Sequence, residues 1–113
     1  MSRKRSLLLA GLVAAAAALA PTAALGGAIS AGSHTVVIKE TRFHPGGLTI
    51  RRGDSVTWVW RDGGSEHNVT AHSFHSRTMG HGSFTVHFTR SGTFNYRCTI
   101  HESEGMRGRI VVH

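Results

Sequence analysis

The sequence has little cysteine and few acidic residues. Cys98 is the only cysteine among 113 residues, so a disulfide bond within the chain is excluded. The six Asp and Glu residues are outnumbered by 13 Lys and Arg residues, and the formal net charge is +7. The basic residues do not form the aromatic-interleaved stripe that nucleic-acid binders show, and we expect no nucleic-acid partner. We attribute the surplus positive charge to a solvated surface.

Long hydrophobic runs are also lacking, and the run at the N-terminus is too short to cross a bilayer. Arg3, Lys4 and Arg5 precede the apolar run 7–20, whereas a membrane-spanning helix needs about 20 apolar residues. This pattern is typical of a secretory signal peptide, which we predict over residues 1–26 with an uncertain cleavage point. The alternative is a retained membrane anchor. A signal peptide implies an exported protein, periplasmic or extracellular.

The rest of the chain is long enough for one small domain. About 87 residues follow position 26, with a net charge of about +4 once the basic residues of the signal are removed. We predict a flexible leader over residues 27–34, because this stretch is rich in Gly, Ala and Ser, and a folded domain over residues 35–113. A domain of this size has a modest core, and small exported domains often add disulfides or a metal to compensate.

The folded part has the residue pattern of short β-strands separated by Gly-rich turns. We find no amphipathic helix of useful length and no internal repeat. The pattern therefore predicts an all-β sandwich or barrel. Segment 42–47 is predicted to interrupt the strands, because it contains Pro45 and two glycines. The predicted strands are 35–39, 48–51, 55–60, 66–71, 83–88, 93–98 and 107–113.

The lone thiol of Cys98 lies close in sequence to other soft metal ligands. His101 and Met106 follow it in one loop between two strands. Burial alone would explain an unpaired cysteine, but thiolate, imidazole and thioether together suit copper. A site of two histidines and one cysteine with a weak axial methionine is the blue-copper arrangement. His67, which follows a Gly-rich loop, is placed to be the second histidine. Zinc is the main alternative, although structural zinc sites rarely use methionine.

Four segments of the chain resemble the signature blocks of the cupredoxin (type 1 blue copper) family: "FHPGGLTIRRGDSVTWVW", "EHNVTA", "GTFNYRCTIH" and "GMRGRIVV". Within the family, the chain is similar to plastocyanin, amicyanin and other small bacterial blue-copper domains. The resemblance spans about residues 35–112 and implies a Greek-key β-sandwich of seven to eight strands. It also implies one copper, cycling between Cu(I) and Cu(II), with the ligands His67, Cys98, His101 and Met106.

The resemblance also implies roles for residues around these ligands. Asn68 would link the two ligand-bearing loops by hydrogen bonds, and an apolar shell including Phe94 and Phe43 would tune the reduction potential. The ring edge of His101 would reach the surface as the port for electrons. Relatives often present a more apolar surface near the ligand loop, where this chain has acidic residues: Glu66, Glu102 and Glu104.

The predicted function is that of an exported monomer that carries single electrons between protein redox partners. Four protein ligands leave no open position for a substrate, so we do not expect an enzyme. After removal of the signal we expect no stable membrane insertion. An alternative is a copper-binding or copper-delivery protein of the cell envelope, and a structural or adhesive domain is a third possibility. A second copper site would favour delivery, and four residues are candidates for it: His72, His75, Met79 and His81. The other interpretation of these residues is a solvated loop.

Overall fold

A computed structural model describes residues 31–113, and the predicted signal peptide and residues 27–30 of the predicted leader lie outside the described residues. The regular secondary structure of this part is almost entirely β-strand, which confirms the predicted all-β class. No helix in it is long and apolar enough to cross a membrane. The elements are β1 (Ser33–Lys39), β2 (Arg42–His44), β3 (Gly47–Ile50), β4 (Ser55–Trp60), β5 (Thr70–Ala71), β6 (Gly82–His87), β7 (Gly92–Arg97), a 3₁₀ turn (Glu102–Glu104) and β8 (Arg107–Val112).

The strands form two four-stranded sheets that pack as a β-sandwich. One sheet has the order β2-β1-β4-β6 and the other β3-β8-β7-β5. The pairs β1–β4 and β3–β8 are parallel, and the other neighbouring strands are antiparallel. Parallel neighbours cannot be joined by a tight hairpin, so the chain crosses between the sheets.

Alternation along β4 builds the centre of the core. Val56, Trp58 and Trp60 are buried, and the residues between them are half-buried. The period of two follows from the strand pleat, which directs successive side chains to opposite faces. The Trp58 ring meets the Tyr96 ring of β7 edge-on, with centroids 5.2 Å apart. Aromatic burial of this kind stabilises the contact between the two sheets.

The first strand starts earlier than the sequence pattern predicts. β1 begins at Ser33, two residues before the predicted start at Thr35, so Ser33 and His34 of the predicted leader belong to the sheet. Both pair in parallel with the start of β4. The Asp54 carboxylate accepts hydrogen bonds from the Gly32 N–H at 2.7 Å and from His34 Nε2 at 2.9 Å. These tertiary contacts extend the strand through residues of low strand propensity.

Two other predicted segments differ from the observed elements by more than one residue. The predicted break over 42–47 contains β2, because a two-residue turn returns the chain along β1 and pairs Lys39 with Arg42. The predicted strand 66–71 is reduced to β5. There the Val69 N–H donates to the Ser76 hydroxyl instead of to a neighbouring strand. Such side-chain acceptors compete with sheet hydrogen bonds.

Candidate metal centre

Three side-chain donor atoms from two separate loops converge at one end of the sandwich. His67 Nδ1 lies 3.9 Å from Cys98 Sγ, and His101 Nδ1 lies 3.6 Å from the same sulfur. The two Nδ1 atoms are 3.2 Å apart. In residues 31–113 this is the one group of three or more His, Cys, Asp or Glu residues spaced to hold a metal ion.

His67 is fixed by its backbone as well as by its ring. Its N–H donates to the Met79 carbonyl at 3.0 Å, and its carbonyl accepts from the Met79 N–H at 3.1 Å and from Trp60 Nε1 at 3.1 Å. Its ring Nε2 lies 2.7 Å from Asp62 Oδ2. The hydrogen bond with His67, aided by the backbone N–H of Glu40, lowers the pKa of Asp62 below its ordinary value. The His67 side chain is fully buried.

Cys98, His101 and Met106 are arranged by a compact loop. The Cys98 N–H donates to the Met106 carbonyl at 3.1 Å, and the Met106 N–H donates to the His101 carbonyl at 3.2 Å. Gly105 closes the 3₁₀ turn at a φ of 88°, a left-handed conformation that favours glycine. Cys98 and Met106 are fully buried, whereas His101 is half-buried. His101 is therefore the donor residue that reaches the surface.

Asn68 joins the two loops that carry the donor atoms. Its Oδ1 accepts from the Thr99 N–H at 3.0 Å, and its Nδ2 donates to the Thr99 hydroxyl at 2.8 Å and to the Thr78 hydroxyl at 2.9 Å. Asn68 is 4% exposed. Thr99 follows Cys98 directly, so these bonds tie the segment of His67 to the loop of Cys98 and restrict their relative movement.

Phe94, which the resemblance places in the apolar shell of the site, packs against an aromatic ring of the core. It is four residues before Cys98 on the same strand, a separation of about 13 Å for extended chain, and its ring packs against Phe88 at 5.2 Å. Phe43 instead packs edge-on against Tyr96, at 4.7 Å. The alternation of side chains along the strand correctly places Phe94 on the inward face, but it carries no information about the distance from Phe94 to the site.

The additional histidines do not form a second cluster with this spacing within residues 31–113. His72, His75 and His81 are exposed. Met79, which the sequence grouped with them, uses its backbone to pair with His67, and its side chain packs against the core. The arrangement fits the solvated loop better than an accessory copper site.

The surface beside His101 combines one apolar side chain with paired charges. Ile100 is 48% exposed, the most exposed large hydrophobic residue of the described part. Glu102 is bound by Arg97 at 3.0 Å and by Arg107 at 2.7 Å. Arg97 and Arg107 thus partly neutralise the negative charge of Glu102.

Asp62 is the site residue that the sequence did not predict. It lies in the Gly-rich loop that precedes His67, and no spacing rule connects it to that histidine. An acidic residue five positions before a candidate ligand would have been the available signal, but such residues are common in loops.

The donor set and its spacing fit a single copper ion. Metal–nitrogen bonds of about 2.0 Å and metal–sulfur bonds of about 2.3 Å place donor atoms about 3–4 Å from one another around one metal ion. The three measured distances lie in this range. Imidazole and thiolate donors with a methionine in the same loop match the preferences of copper rather than those of a structural zinc site.

Comparisons with known proteins agree with this chemistry. A plastocyanin from Scenedesmus fuscus is 31% identical over 85 residues, covering 62% of this chain and 85% of that protein. The copper-resistant cuproprotein CopI of Rubrivivax gelatinosus is 31% identical over 105 residues, covering 68% of this chain and 64% of that protein. A solved structure of an oxidized amicyanin variant has a TM-score of 0.63 and 29% identity, covering 70% of this chain and 80% of that chain. The family model for copper-binding proteins of the plastocyanin/azurin family matches residues 30–113. The chain therefore belongs to the plastocyanin/azurin family of copper-binding proteins, and copper is its cofactor.

Proposed function

We propose that this protein is an exported carrier of single electrons, with one copper held by His67, Cys98, His101 and Met106. The observation that carries the proposal is the convergence of His67 Nδ1, Cys98 Sγ and His101 Nδ1 within 4.8 Å of one another. The copper would supply a one-electron couple between Cu(I) and Cu(II). The chain's own residues would supply a fixed environment and a path for the electron.

Rigidity of the donor residues supports electron transfer. A carrier needs donor atoms that move little between the two oxidation states, so that little reorganisation accompanies each transfer. His67 is held at its backbone and at its ring, and Asn68 ties its segment to Thr99. The Met106 backbone bonds to both Cys98 and His101. These contacts would hold the donors in one arrangement.

Burial would confine electron exchange to one side of the site. His67, Cys98 and Met106 are fully buried, and His101 is half-buried next to the exposed Ile100. The ring of His101 would therefore be the contact with protein redox partners. With four protein ligands no position remains for a substrate, which supports a carrier rather than an enzyme.

The N-terminal pattern supports the proposed location. Three basic residues followed by a short apolar run support export through a signal peptide, to the periplasm or the exterior. We propose that no stable membrane insertion remains after cleavage. We propose that the released domain acts as a monomer.

Copper delivery is a second candidate function. The similarity to a copper-resistant cuproprotein favours it. A delivery protein must release its metal to an acceptor, whereas a carrier must keep it in both oxidation states. The structural arrangement around His67 favours retention.

Copper retention during repeated redox cycles tests the proposal. The purified protein would be loaded with one equivalent of Cu(II), then reduced with ascorbate and reoxidised with ferricyanide for several cycles beside a moderate Cu(I) chelator. A carrier keeps about one copper per chain and recovers its starting spectrum after each cycle. Transfer of most copper to the chelator in the first reduced phase would instead support delivery.

A further inference from the structure

The Asp62 carboxylate lies directly behind the ring of His67. Asp62 Oδ2 is 2.7 Å from His67 Nε2, while the opposite ring nitrogen, Nδ1, faces Cys98 and His101. The His67 side chain is 0% exposed and that of Asp62 is 19% exposed. Water therefore has little access to this hydrogen bond, and the carboxylate is the partner of the ring.

A tight turn holds the carboxylate in place. The turn between β1 and β2 consists of Glu40 and Thr41, each with a φ of 56°. The Glu40 N–H donates to Asp62 Oδ1 at 2.9 Å, and the Thr41 N–H donates to Asp62 Oδ2 at 3.2 Å. Non-glycine residues are uncommon in this left-handed region. The two hydrogen bonds to one carboxylate compensate for that conformation and fix the position of Asp62.

The hydrogen bond determines which nitrogen of His67 is free for copper. A carboxylate accepts a hydrogen bond, so the proton of the neutral ring lies on Nε2. Nδ1 then carries the free lone pair, on the side of the ring that faces Cys98 and His101. An anionic partner also raises the basicity of a ligating imidazole. A more basic ligand and a nearby negative charge both favour Cu(II) over Cu(I).

We propose that Asp62 is a positioning residue of the copper centre, which fixes the ring of His67 and lowers the reduction potential through its charge. This inference rests on the proposed function, because it requires His67 to be a copper ligand. Asp62 would connect the β1–β2 turn to the metal site, because its carboxylate contacts both the turn and His67. Asp62 itself is not a ligand.

The chain contains a matched control at the other end of β4. Asp54 also accepts from a histidine Nε2, that of His34 at 2.9 Å, and from two backbone N–H groups, those of Gly32 and Arg51. Seven residues, including the six of β4, lie between Asp54 and Asp62, and β4 alone spans about 20 Å. His34 is not a donor of the metal cluster. Asp54→Asn therefore removes a similar carboxylate without touching the site.

The test compares reduction potentials of the copper-loaded wild type, Asp62→Asn and Asp54→Asn by spectroelectrochemical titration. We expect Asp62→Asn to keep an intense blue band and to lose about tenfold in its preference for Cu(II) over Cu(I). That loss raises the potential by about 59 mV for one electron. Asp54→Asn should match the wild type. An unchanged potential in Asp62→Asn, or an equal rise in both variants, would overturn the proposal.

A second measurement applies if Asp62→Asn does not fold. Nitrogen-15 NMR of the Cu(I)-loaded wild type reports the Nε2 proton of each histidine. We expect the His67 proton to be far downfield and slow to exchange, with the half-exposed His101 as the internal comparison. Fast exchange of the His67 proton would overturn the inference. A wild type without any blue band would instead refute the proposed function on which the inference rests.

Discussion

At the scale of single residues, the buried carboxylate of Asp54 and the half-buried carboxylate of Asp62 anchor the two ends of β4. Asp54 precedes the strand and holds the start of β1 through Gly32 and His34. Asp62 follows the strand and holds the β1–β2 turn and His67. Each carboxylate connects segments about 20 residues apart in sequence, a contact that strand propensity alone does not encode.

The carboxylate of Asp54 makes stability depend on acidity. Hydrogen bonds from His34 and from the backbone of Gly32 and Arg51 lower its pKa from 3.8 to about 2. Because the folded state favours the ionised form, Asp54 contributes stability above pH 3.8 and loses it as the pH falls toward about 2. We expect the unfolding free energy of the wild type to fall more steeply over this interval than that of Asp54→Asn.

Urea unfolding followed by circular dichroism at several pH values from 2 to 5 measures this difference. The slopes of the unfolding free energy against pH should differ between the two proteins by no more than the contribution of one bound proton. Parallel plots of unfolding free energy against pH for the wild type and Asp54→Asn would show that the Asp54 carboxylate does not cause the pH dependence.

The candidate ligands were predictable at this scale, and their surroundings were only partly so. Cys98, His101 and Met106 are close in sequence and belong to one chemical class, so their spacing carries information. The resemblance supplied Asn68. Asp62 was missed, because its contact with His67 depends on a distance in three dimensions that no local pattern fixes.

At the scale of elements, β7 and β8 are shaped by the contact between Tyr96 and Gly108. These residues are directly opposite each other in the antiparallel pair. The Tyr96 ring lies over Gly108, where a Cβ atom would overlap the ring. The same ring packs against Phe43 and Trp58. A glycine in β8 therefore allows an aromatic residue to join the two sheets.

Gly108→Ala should destabilise the fold because it forces Tyr96 away from the core. Overpacking of this kind costs about 1–3 kcal/mol. Gly47→Ala is the matched control, because Gly47 is in the neighbouring strand β3 and a Cβ atom there would meet nothing within 4 Å. We expect the control to change the free energy of unfolding by no more than about 0.5 kcal/mol.

Urea midpoints of the two variants and the wild type provide the measurement. Equal midpoints for Gly108→Ala and Gly47→Ala would contradict the role given to the Tyr96 ring.

Strand positions followed from the sequence where one face is buried. β4 was predicted with its observed bounds, since its apolar residues alternate strictly. The short edge strand β2 was not predicted, because its pairing depends on the left-handed turn at Glu40 and Thr41. β5 was predicted too long, because the chain from His67 to Val69 bonds to side chains and to Met79 instead of a sheet.

At the scale of the whole molecule, the sandwich brings together donor residues that are far apart in the chain. His67 and Cys98 are separated by 31 residues, yet their donor atoms are 3.9 Å apart. The unfolded chain does not maintain this arrangement. Copper that binds the folded state more tightly therefore stabilises it.

We expect one equivalent of copper to raise the midpoint of thermal unfolding. At a free Cu(II) concentration about 100 times the Kd, the gain is about 2.7 kcal/mol. For a domain of this size, that gain corresponds to about 10–20 °C. Differential scanning calorimetry with and without Cu(II) measures the shift, and Cys98→Ser should show a much smaller one. An equal shift in both proteins would place the stabilising copper elsewhere.

The central claim is that Cys98 binds copper in a type 1 site. Its most direct test is the visible absorption spectrum of the purified protein during titration with Cu(II), with Cys98→Ser measured in parallel. We predict an intense blue thiolate-to-copper band that saturates at one equivalent and is absent from Cys98→Ser. Weak copper absorption that is the same in both proteins would contradict the claim.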